Sequence, residues 1–194
     1  YAEPSELTSP GRHAALFERG AKFLRSTGDD SLLGGAGNDP ISGGANNDGI
    51  YGGSGNDTIT GGNNNDSIYG GSGSDTINGA AGADTLTGDG DADVFVFSST
   101  GDSAVGTGAD VINDFNDTVD KINLSAIDAN TATVGDDAFL FGGSDADGAA
   151  NSVTWTEVGA NTIVSADVNG DATADMQIVL TGTGLGLAEG DFIL

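Results

Sequence analysis

An aspartate recurs every nine residues along one stretch of the chain, always at the same place in a glycine-rich repeat. Seven repeats follow one another without a gap from Gly34 to Val96, and they read GGAGNDPIS, GGANNDGIY, GGSGNDTIT, GGNNNDSIY, GGSGSDTIN, GAAGADTLT and GDGDADVFV. The aspartates at the sixth position are Asp39, Asp48, Asp57, Asp66, Asp75, Asp84 and Asp93, and a weaker repeat in the same register, RSTGDDSLL, supplies Asp30. Regularly spaced carboxylates in a chain without cysteine indicate binding of hard, oxygen-seeking cations.

The composition of the whole chain is strongly acidic. Its 194 residues include 30 acidic, 5 basic and 34 glycine residues, and the formal net charge is −25. Such a charge excludes a nucleic-acid binder, because the phosphate backbone would be repelled. Scattered apolar residues would predict disorder, but here they are periodic. We therefore expect an acidic fold completed by cations, and calcium is favoured because the available ligands are carboxylate and carbonyl oxygens.

Several other features are missing from the sequence. No apolar run reaches the length of a membrane span, so we expect no stable membrane insertion. No N-terminal signal peptide is visible, so an exported form would need its address elsewhere in the chain. Without cysteines, no disulfide contributes to stability outside the cell.

The repeat predicts its own geometry. Positions seven to nine form a minimal strand with one inward, apolar residue, and these residues are Ile41, Ile50, Ile59, Ile68, Ile77, Leu86 and Phe95. One inward residue per nine predicts a two-sided coil with two repeats per turn, in which each strand pairs in parallel with the strand two repeats away. Glycine at positions one, two and four permits positive φ in the turns. The exceptions at position four, Asn46, Asn64 and Asp91, are residue types that tolerate this region best.

Stacking of the turns brings the aspartates into two rows. One row holds Asp39, Asp57, Asp75 and Asp93, and the other holds Asp30, Asp48, Asp66 and Asp84. Carboxylates about 4.8 Å apart repel one another unless an ion lies between them, so we expect about six calcium ions, each bound by carboxylates and carbonyls of adjacent turns. The alternative is a flexible linker, but a linker needs no apolar residue in every repeat. We expect folding to depend on the metal.

The flanking segments differ from the repeats. Residues 1–26 hold four of the five basic residues, and His13–Leu24 is predicted to form a short helix. This segment is the end of an upstream domain, a helix that covers the open end of the repeat stack, or a frayed tail. After the repeat domain (27–97), residues 98–194 are predicted to form an antiparallel β cap that packs on the last turns. Its predicted strands are Val94–Phe97, Asp110–Phe115, Lys121–Leu124, Ala138–Phe141, Val153–Val158, Thr162–Val168 and Met176–Leu180, with a hairpin turn at Gly159–Asn161.

The repeats resemble the calcium-binding parallel β-roll of RTX proteins, and the segments GADVINDF, DKINLSAIDAN, DVNGDATADMQIVL and DFIL resemble the C-terminal domain of serralysin-type metalloproteases. This resemblance implies an all-β fold, secretion and calcium binding by the repeat aspartates. It also implies ligation by glycine carbonyls and two later aspartates, namely Gly35, Gly37, Gly44, Gly53, Gly55, Gly62, Gly71, Gly73, Gly82, Asp102 and Asp110. The terminal Asp191-Phe-Ile-Leu194 resembles the uncleaved signal for type I (ABC) export, or alternatively is a closing β-strand.

The same resemblance predicts that this chain is not itself the enzyme. The family's zinc motif HExxHxxGxxH is absent, since His13 is the only histidine, and no G-x-S-x-G elbow is present. We therefore expect the noncatalytic end of a larger secreted enzyme, with an upstream catalytic domain and the export machinery as partners. An alternative is an accessory module of a lipase or a polysaccharide-modifying enzyme that binds an acidic polysaccharide, with Tyr51 and Tyr69 on one side of the roll as candidate sugar contacts. The segment Asp167–Asp175 is either a further calcium loop or an Asp/Asn-rich turn.

Overall fold

The computed structural model describes residues 14–16, 26–132, 137–144 and 151–194. Within them Ala14–Leu16 is a strand, β1, which pairs in parallel with the segment Ser31–Leu33. The predicted N-terminal helix is therefore wrong at these residues, because their backbone extends the sheet of the repeats instead of bonding within a helix. The rest of the predicted helix, including His13, lies outside the described residues.

The repeats fold into two parallel sheets. After β2 (Ser26–Thr27) the strands are β3 (Ser31–Ala36), β4 (Pro40–Ala45), β5 (Gly49–Ser54), β6 (Thr58–Asn63), β7 (Ser67–Ser72), β8 (Thr76–Ala81), β9 (Thr85–Gly90) and β10 (Val94–Val96). Odd-numbered strands lie in one sheet, in the order β1-β3-β5-β7-β9, and even-numbered strands lie in the other, in the order β10-β8-β6-β4-β2. The chain thus crosses to the opposite sheet with every repeat.

The register between the strands confirms the predicted coil. Ile50 lies opposite Ile68 in the first sheet and Ile59 lies opposite Ile77 in the second, so equivalent positions pair at a separation of eighteen residues. The apolar residues at position eight form the filling between the sheets, and Ile50, Ile68 and Ile77 are fully buried. A core this narrow contains one large side chain per strand and little else.

The strands are longer than predicted. β6, for example, runs six residues from Thr58 into the Gly61-Gly62 pair of the next repeat, and its inward residues are Ile59 and Gly61. Position one of each repeat is therefore an inward strand position and not part of the turn. Its backbone has no positive φ, whereas Gly53 and Gly55, at positions two and four, have φ of 114° and 119°.

The C-terminal part extends the roll instead of forming a separate cap upon it. Its strands are β11 (Asp110–Ile112), β12 (Lys121–Asn123), β13 (Leu140–Gly143), β14 (Ser152–Val158), β15 (Asn161–Ala166), β16 (Met176–Thr181) and β17 (Phe192–Ile193), with short 3₁₀ turns at Thr100–Ser103, Gly106–Gly108 and Glu189–Asp191. β11 continues the first sheet and pairs in parallel with both β9 and β16, and β12 continues the second sheet beyond β10.

Only the middle of this region is antiparallel as predicted. β14, β15 and β16 are antiparallel neighbours, and the predicted turn at Gly159-Ala160 joins the first two. β13 pairs in parallel with β14, and β17 in parallel with β12. The prediction of a wholly antiparallel cap is therefore wrong, because the open ends of both roll sheets are used as templates for further parallel strands. Among the described residues no helix is long and apolar enough to cross a membrane.

Candidate metal centre

The repeat aspartates form two buried rows, one along each edge of the roll. Their side chains are between 1% and 5% exposed, although each carries a carboxylate. The strands hold them there because position six immediately precedes the strand, and the pairing of equivalent positions places each aspartate one turn above the previous member of its row. The two predicted rows are thus confirmed.

From Asp48 to Asp93, one oxygen of each carboxylate in the rows accepts a hydrogen bond from the backbone of the preceding turn. The amide N–H of Asp48 donates to Oδ1 of Asp66 at 2.7 Å, and that of Asp57 donates to Oδ1 of Asp75 at 2.7 Å. The same bond joins Asp30 to Asp48, Asp39 to Asp57, Asp66 to Asp84 and Asp75 to Asp93. Each carboxylate therefore fixes the amide of the turn before it, and the bonds point in one direction along the roll.

Both rows continue beyond the last repeat. The N–H of Asp84 donates to Oδ1 of Asp110 at 2.8 Å, and the N–H of Asp93 donates to Oδ1 of Asp120 at 3.0 Å. Asp110 was predicted as a ligand, whereas Asp120 was missed. The signal for Asp120 was present, because Asp120-Lys121-Ile122 repeats the aspartate–any–apolar pattern of Asp93-Val94-Phe95.

The second carboxylate oxygen has no hydrogen-bond partner. This holds for the buried Oδ2 atoms of Asp48, Asp57, Asp66, Asp75, Asp84, Asp93 and Asp110. A buried polar atom without a partner costs about 1 to 3 kcal/mol, and more if it is charged. A whole row of such atoms, repeated in the same geometry, fits a bound cation that supplies the missing interaction.

Glycine carbonyls lie beside these orphaned oxygens. A Cβ atom at Gly43 would lie 2.5 Å from Oδ2 of Asp48 and 2.7 Å from the carbonyl oxygen of Gly61. At Gly61 it would meet Oδ2 of Asp66 and, at 2.7 Å, the carbonyl oxygen of Gly79. Position one is therefore glycine because two oxygens occupy the space of a side chain, not because of its φ. A small volume bounded by oxygens suits Ca²⁺.

The predicted carbonyl ligands at positions two and four stack along the roll. The carbonyl oxygen of Gly35 lies against Gly53, and that of Gly37 against Gly55, so each faces the backbone of the next turn. The same stacking joins Gly44 to Gly62, Gly53 to Gly71, Gly55 to Gly73 and Asn64 to Gly82. The space that a Cβ at position one would fill is bounded by position-one carbonyls of the next turn, at Gly52, Gly61 and Gly70, which the sequence analysis did not single out.

Burial makes the ionised carboxylates unfavourable when no cation is bound. It raises the pKa of Asp66 and of Asp93 to about 7 and that of Asp110 to about 8, against an ordinary value of 3.8. The hydrogen bond from the neighbouring amide lowers these pKa values in part, and the other carboxylates of the row raise them further. Burial likewise raises the pKa of Asp48, Asp57 and Asp84 to about 6.

Side chains alone do not complete a metal site. Among the described residues no three carboxylate or imidazole groups are arranged to hold an ion, so a bound ion would need backbone ligands.

Asp102 raises the pKa of Asp84 and Asp110 through its charge and so lies near the end of one row. Its own oxygens accept bonds from the amide N–H of Ser98 at 2.7 Å and the hydroxyl of Ser99 at 2.6 Å.

Two further candidates from the sequence make the following contacts in the structure. In the segment Asp167–Asp175, Oδ1 of Asp167 accepts hydrogen bonds from the amides of Asn169 and Gly170, and its Oδ2 accepts from the amide of Ala172. This is the hydrogen-bond pattern of an Asp/Asn-rich turn.

Tyr51 and Tyr69 are neighbours on the outer face of the first sheet, as predicted. Their rings stack on each other with centroids 5.0 Å apart and 3° between planes, so each ring turns one face toward the other ring instead of toward a sugar.

The fold and these rows define a class of protein, a parallel β-roll with repeated oxygen-lined sites. Residues 26–194 match the family described as Peptidase M10 serralysin C terminal, and the chain belongs to that family. The repeats are those of an RTX module. No curated protein sequence matches the chain.

Solved structures of similar fold come from larger enzymes. A subunit of the mannuronan C5-epimerase of Azotobacter vinelandii is 21% identical, with 99% of this chain and 86% of that chain covered and a TM-score of 0.39. A second subunit of that epimerase is 25% identical, with 84% and 91% covered and a TM-score of 0.42. The extracellular lipase LipA of Serratia marcescens is 16% identical, with 96% and 40% covered and a TM-score of 0.38.

Proposed function

We propose that this chain is a calcium-dependent folding and export domain of a larger secreted enzyme. The observation that carries the proposal is the repeated, buried Oδ2 atom without a hydrogen-bond partner, which occurs in both rows. The residues that would hold the ions are the repeat aspartates with Asp110 and Asp120, together with glycine carbonyls of the adjacent turns. Bound calcium would supply the positive charge that the rows lack.

Calcium concentration would then decide where the domain folds. Extracellular calcium modules bind at about 0.1 to 1 mM, so the sites would stay empty in the cytosol. A chain with a net charge of −25 resists collapse in that state and would remain extended for passage through a type I exporter. Outside the cell, binding to the folded form would stabilise it by mass action.

Membership in the serralysin C-terminal family supports a metalloprotease as the upstream partner. The alternative, an accessory module of a polysaccharide-modifying enzyme or a lipase, receives no support from the tyrosine pair, because the two rings stack on each other. The sequence of the complete gene would settle the partner, since a serralysin-type enzyme carries the HExxHxxGxxH motif upstream of this domain.

A calcium titration followed by far-UV circular dichroism tests the folding proposal. We expect little β structure in metal-free buffer at pH 7.5 and a cooperative gain of β signal as calcium is added. Magnesium at the same concentration is the control, since it demands a near-octahedral shell that carbonyl-rich turns do not offer. A complete β signal in excess EGTA would refute the proposal.

For the export proposal, the chain is expressed in cells that contain a type I exporter. Deletion of residues 191–194 should abolish release into the medium, whereas a chain with Tyr51→Ser should be exported normally. Export of the truncated chain would contradict the assignment of the signal.

A further inference from the structure

The C-terminal residues are attached to the roll through a single strand. Among the described residues β17 pairs with β12 and with no other strand, and β12 pairs on its other side with β10, the last strand of the repeats. Phe192 lies opposite Ile122, and Ile122 lies opposite Phe95 of the core. The position of the chain terminus therefore depends on the order of the last repeat.

The docked terminus is held by few contacts. Phe192 is 7% exposed and packs against Phe141 with ring centroids 5.8 Å apart, whereas Ile193 is 40% exposed. The carbonyl oxygen of Ile193 accepts a hydrogen bond from the amide of Leu124 at 2.8 Å. A strand of two residues with this set of contacts is expected to open locally at a lower free energy than the core strands.

Lys121 links this terminus to the acidic row. It is the only basic residue from position 26 to the end of the chain. Its Nζ lies 3.5 Å from Oδ1 of the buried Asp191, and its amide N–H donates to the carbonyl oxygen of Asp93. The Lys121 ammonium also opposes the rise that burial causes in the pKa of the adjacent Asp120, so it lies within the field of the row's last carboxylate.

We propose that Lys121 and Asp191 form a latch that keeps the C-terminal segment docked only while the last turn of the roll is ordered. With calcium in the rows, β10 and β12 are formed, Lys121 is positioned, and Asp191-Phe-Ile-Leu194 is covered. Without calcium, β12 lacks its template and the segment is free. This inference rests on the proposed calcium-dependent folding and adds that the exporter's signal is accessible before folding and hidden after it.

The test measures how fast carboxypeptidase Y, a serine enzyme that needs no metal, removes Leu194, Ile193 and Phe192 from the full chain, followed by mass spectrometry. For the unmodified protein we expect release to be roughly tenfold slower in calcium than in EGTA, because the docked strand must open before cleavage. Lys121→Gln should increase release in calcium several-fold, and Lys121→Arg should restore slow release.

Asp191→Asn is the second variant, because an amide oxygen still accepts from the amide of Ala188 while the ion pair is lost. It should also increase release in calcium, which keeps the test decisive if Lys121→Gln fails to fold. Circular dichroism is recorded on each sample. Equal release with and without calcium, or wild-type rates in both charge variants, would overturn the latch even when the β signal responds to calcium. A β signal that ignores calcium would instead refute the folding proposal.

Discussion

Each repeat aspartate uses its two oxygens for different purposes. Oδ1 accepts the amide N–H of the preceding turn, as Asp66 does for Asp48. In Asp48, Asp57, Asp66, Asp75, Asp84 and Asp93, Oδ2 is buried and has no hydrogen-bond partner. The first oxygen therefore joins adjacent turns, and the proposed function assigns the second to a cation.

Asp66→Asn should separate these two roles. The amide keeps an oxygen that can accept the Asp48 N–H, but it removes the negative charge and places an NH₂ group where a cation would bind. We expect weaker calcium binding by one site and lower thermal stability in calcium. In metal-free buffer we expect higher stability than the unmodified chain, because the buried charge is gone.

Isothermal titration and thermal unfolding, with and without calcium, measure both effects. Asp171→Asn is the matched control, since Asp171 is exposed and lies outside the roll. If Asp66→Asn changed stability in the same direction under both conditions, the assignment of Oδ2 to the cation would fail.

Gly61→Ala tests the space beside Oδ2. The added methyl group would meet Oδ2 of Asp66 and the carbonyl oxygen of Gly79 at 2.7 Å, and overpacking of this kind costs about 1 to 3 kcal/mol. We expect a lower melting temperature in calcium and fewer bound ions, measured by calorimetry and titration. Gly90→Ala is the control, because a Cβ there has no atom within 4 Å; an equal loss in both variants would count against a specific site.

Residue-scale prediction succeeded where the type of residue reflects local conformation. Asn46, Asn64 and Asp91 have the positive φ that their places at position four required. It failed at position one, because a glycine that leaves room for oxygens looks in the sequence like a glycine that permits a turn. At Gly43 one of those oxygens belongs to Asp48 of the same repeat, but the other belongs to Gly61, eighteen residues away, and no local pattern reveals it.

At the scale of the elements, the first strands after the repeats begin at or directly after the aspartates that end the two rows. β11 begins with Asp110 and β12 follows Asp120, and these two carboxylates accept the last amides of the rows, from Asp84 and Asp93. A repeat array whose carboxylates all point toward the preceding turn needs such acceptors at its C-terminal end.

Asp120→Ala should therefore damage one sheet more than the other. It leaves the amides of Asp93 and Asn116 without their acceptor, at a cost of about 1 to 3 kcal/mol for a buried group. Hydrogen exchange in calcium should show faster exchange in β10 and β12 than in the unmodified protein, with β9 and β11 less affected. Asp117→Asn, in the same loop, is the control, and uniform acceleration in both sheets would contradict this assignment.

The elements themselves were largely predictable. The predicted segments Lys121–Leu124, Val153–Val158 and Met176–Leu180 correspond to β12, β14 and β16, because alternating apolar residues specify a strand. Their pairing was not predictable, since the same alternation serves a parallel and an antiparallel neighbour. The short segment around Ala14 also formed a strand, as its pairing with Leu32 outweighed a helical pattern.

At the scale of the whole molecule, we expect protons and calcium to compete for the same carboxylate oxygens. In the folded state the pKa of Asp48, Asp57, Asp66, Asp84, Asp93 and Asp110 is raised to between about 6 and about 8, from an ordinary value of 3.8. The folded, metal-free form therefore binds more protons than the unfolded chain. The stability that these groups contribute to the metal-free form is fully present below pH 3.8 and is lost as the pH rises through 6 to 8.

We expect the metal-free protein to gain β structure when the pH is lowered from 8 to 5, as measured by far-UV circular dichroism. The apparent calcium affinity should fall over the same interval, because protons occupy the oxygens that bind the ion. Calcium titrations at pH 8, 7 and 6 measure this decrease. A calcium affinity that did not change with pH would show that the raised pKa groups are not the ligands.

Because the chain alternates between two sheets, an odd and an even number of repeats have different effects on the whole molecule. Because each repeat crosses to the opposite sheet and equivalent residues pair eighteen positions apart, inserting or deleting two repeats returns every preceding residue to its own side. One repeat more or fewer would turn everything N-terminal to it by half a revolution about the roll axis, while each aspartate still found a carboxylate partner. The number of repeats, odd or even, thus selects the side of the roll from which the preceding chain leaves.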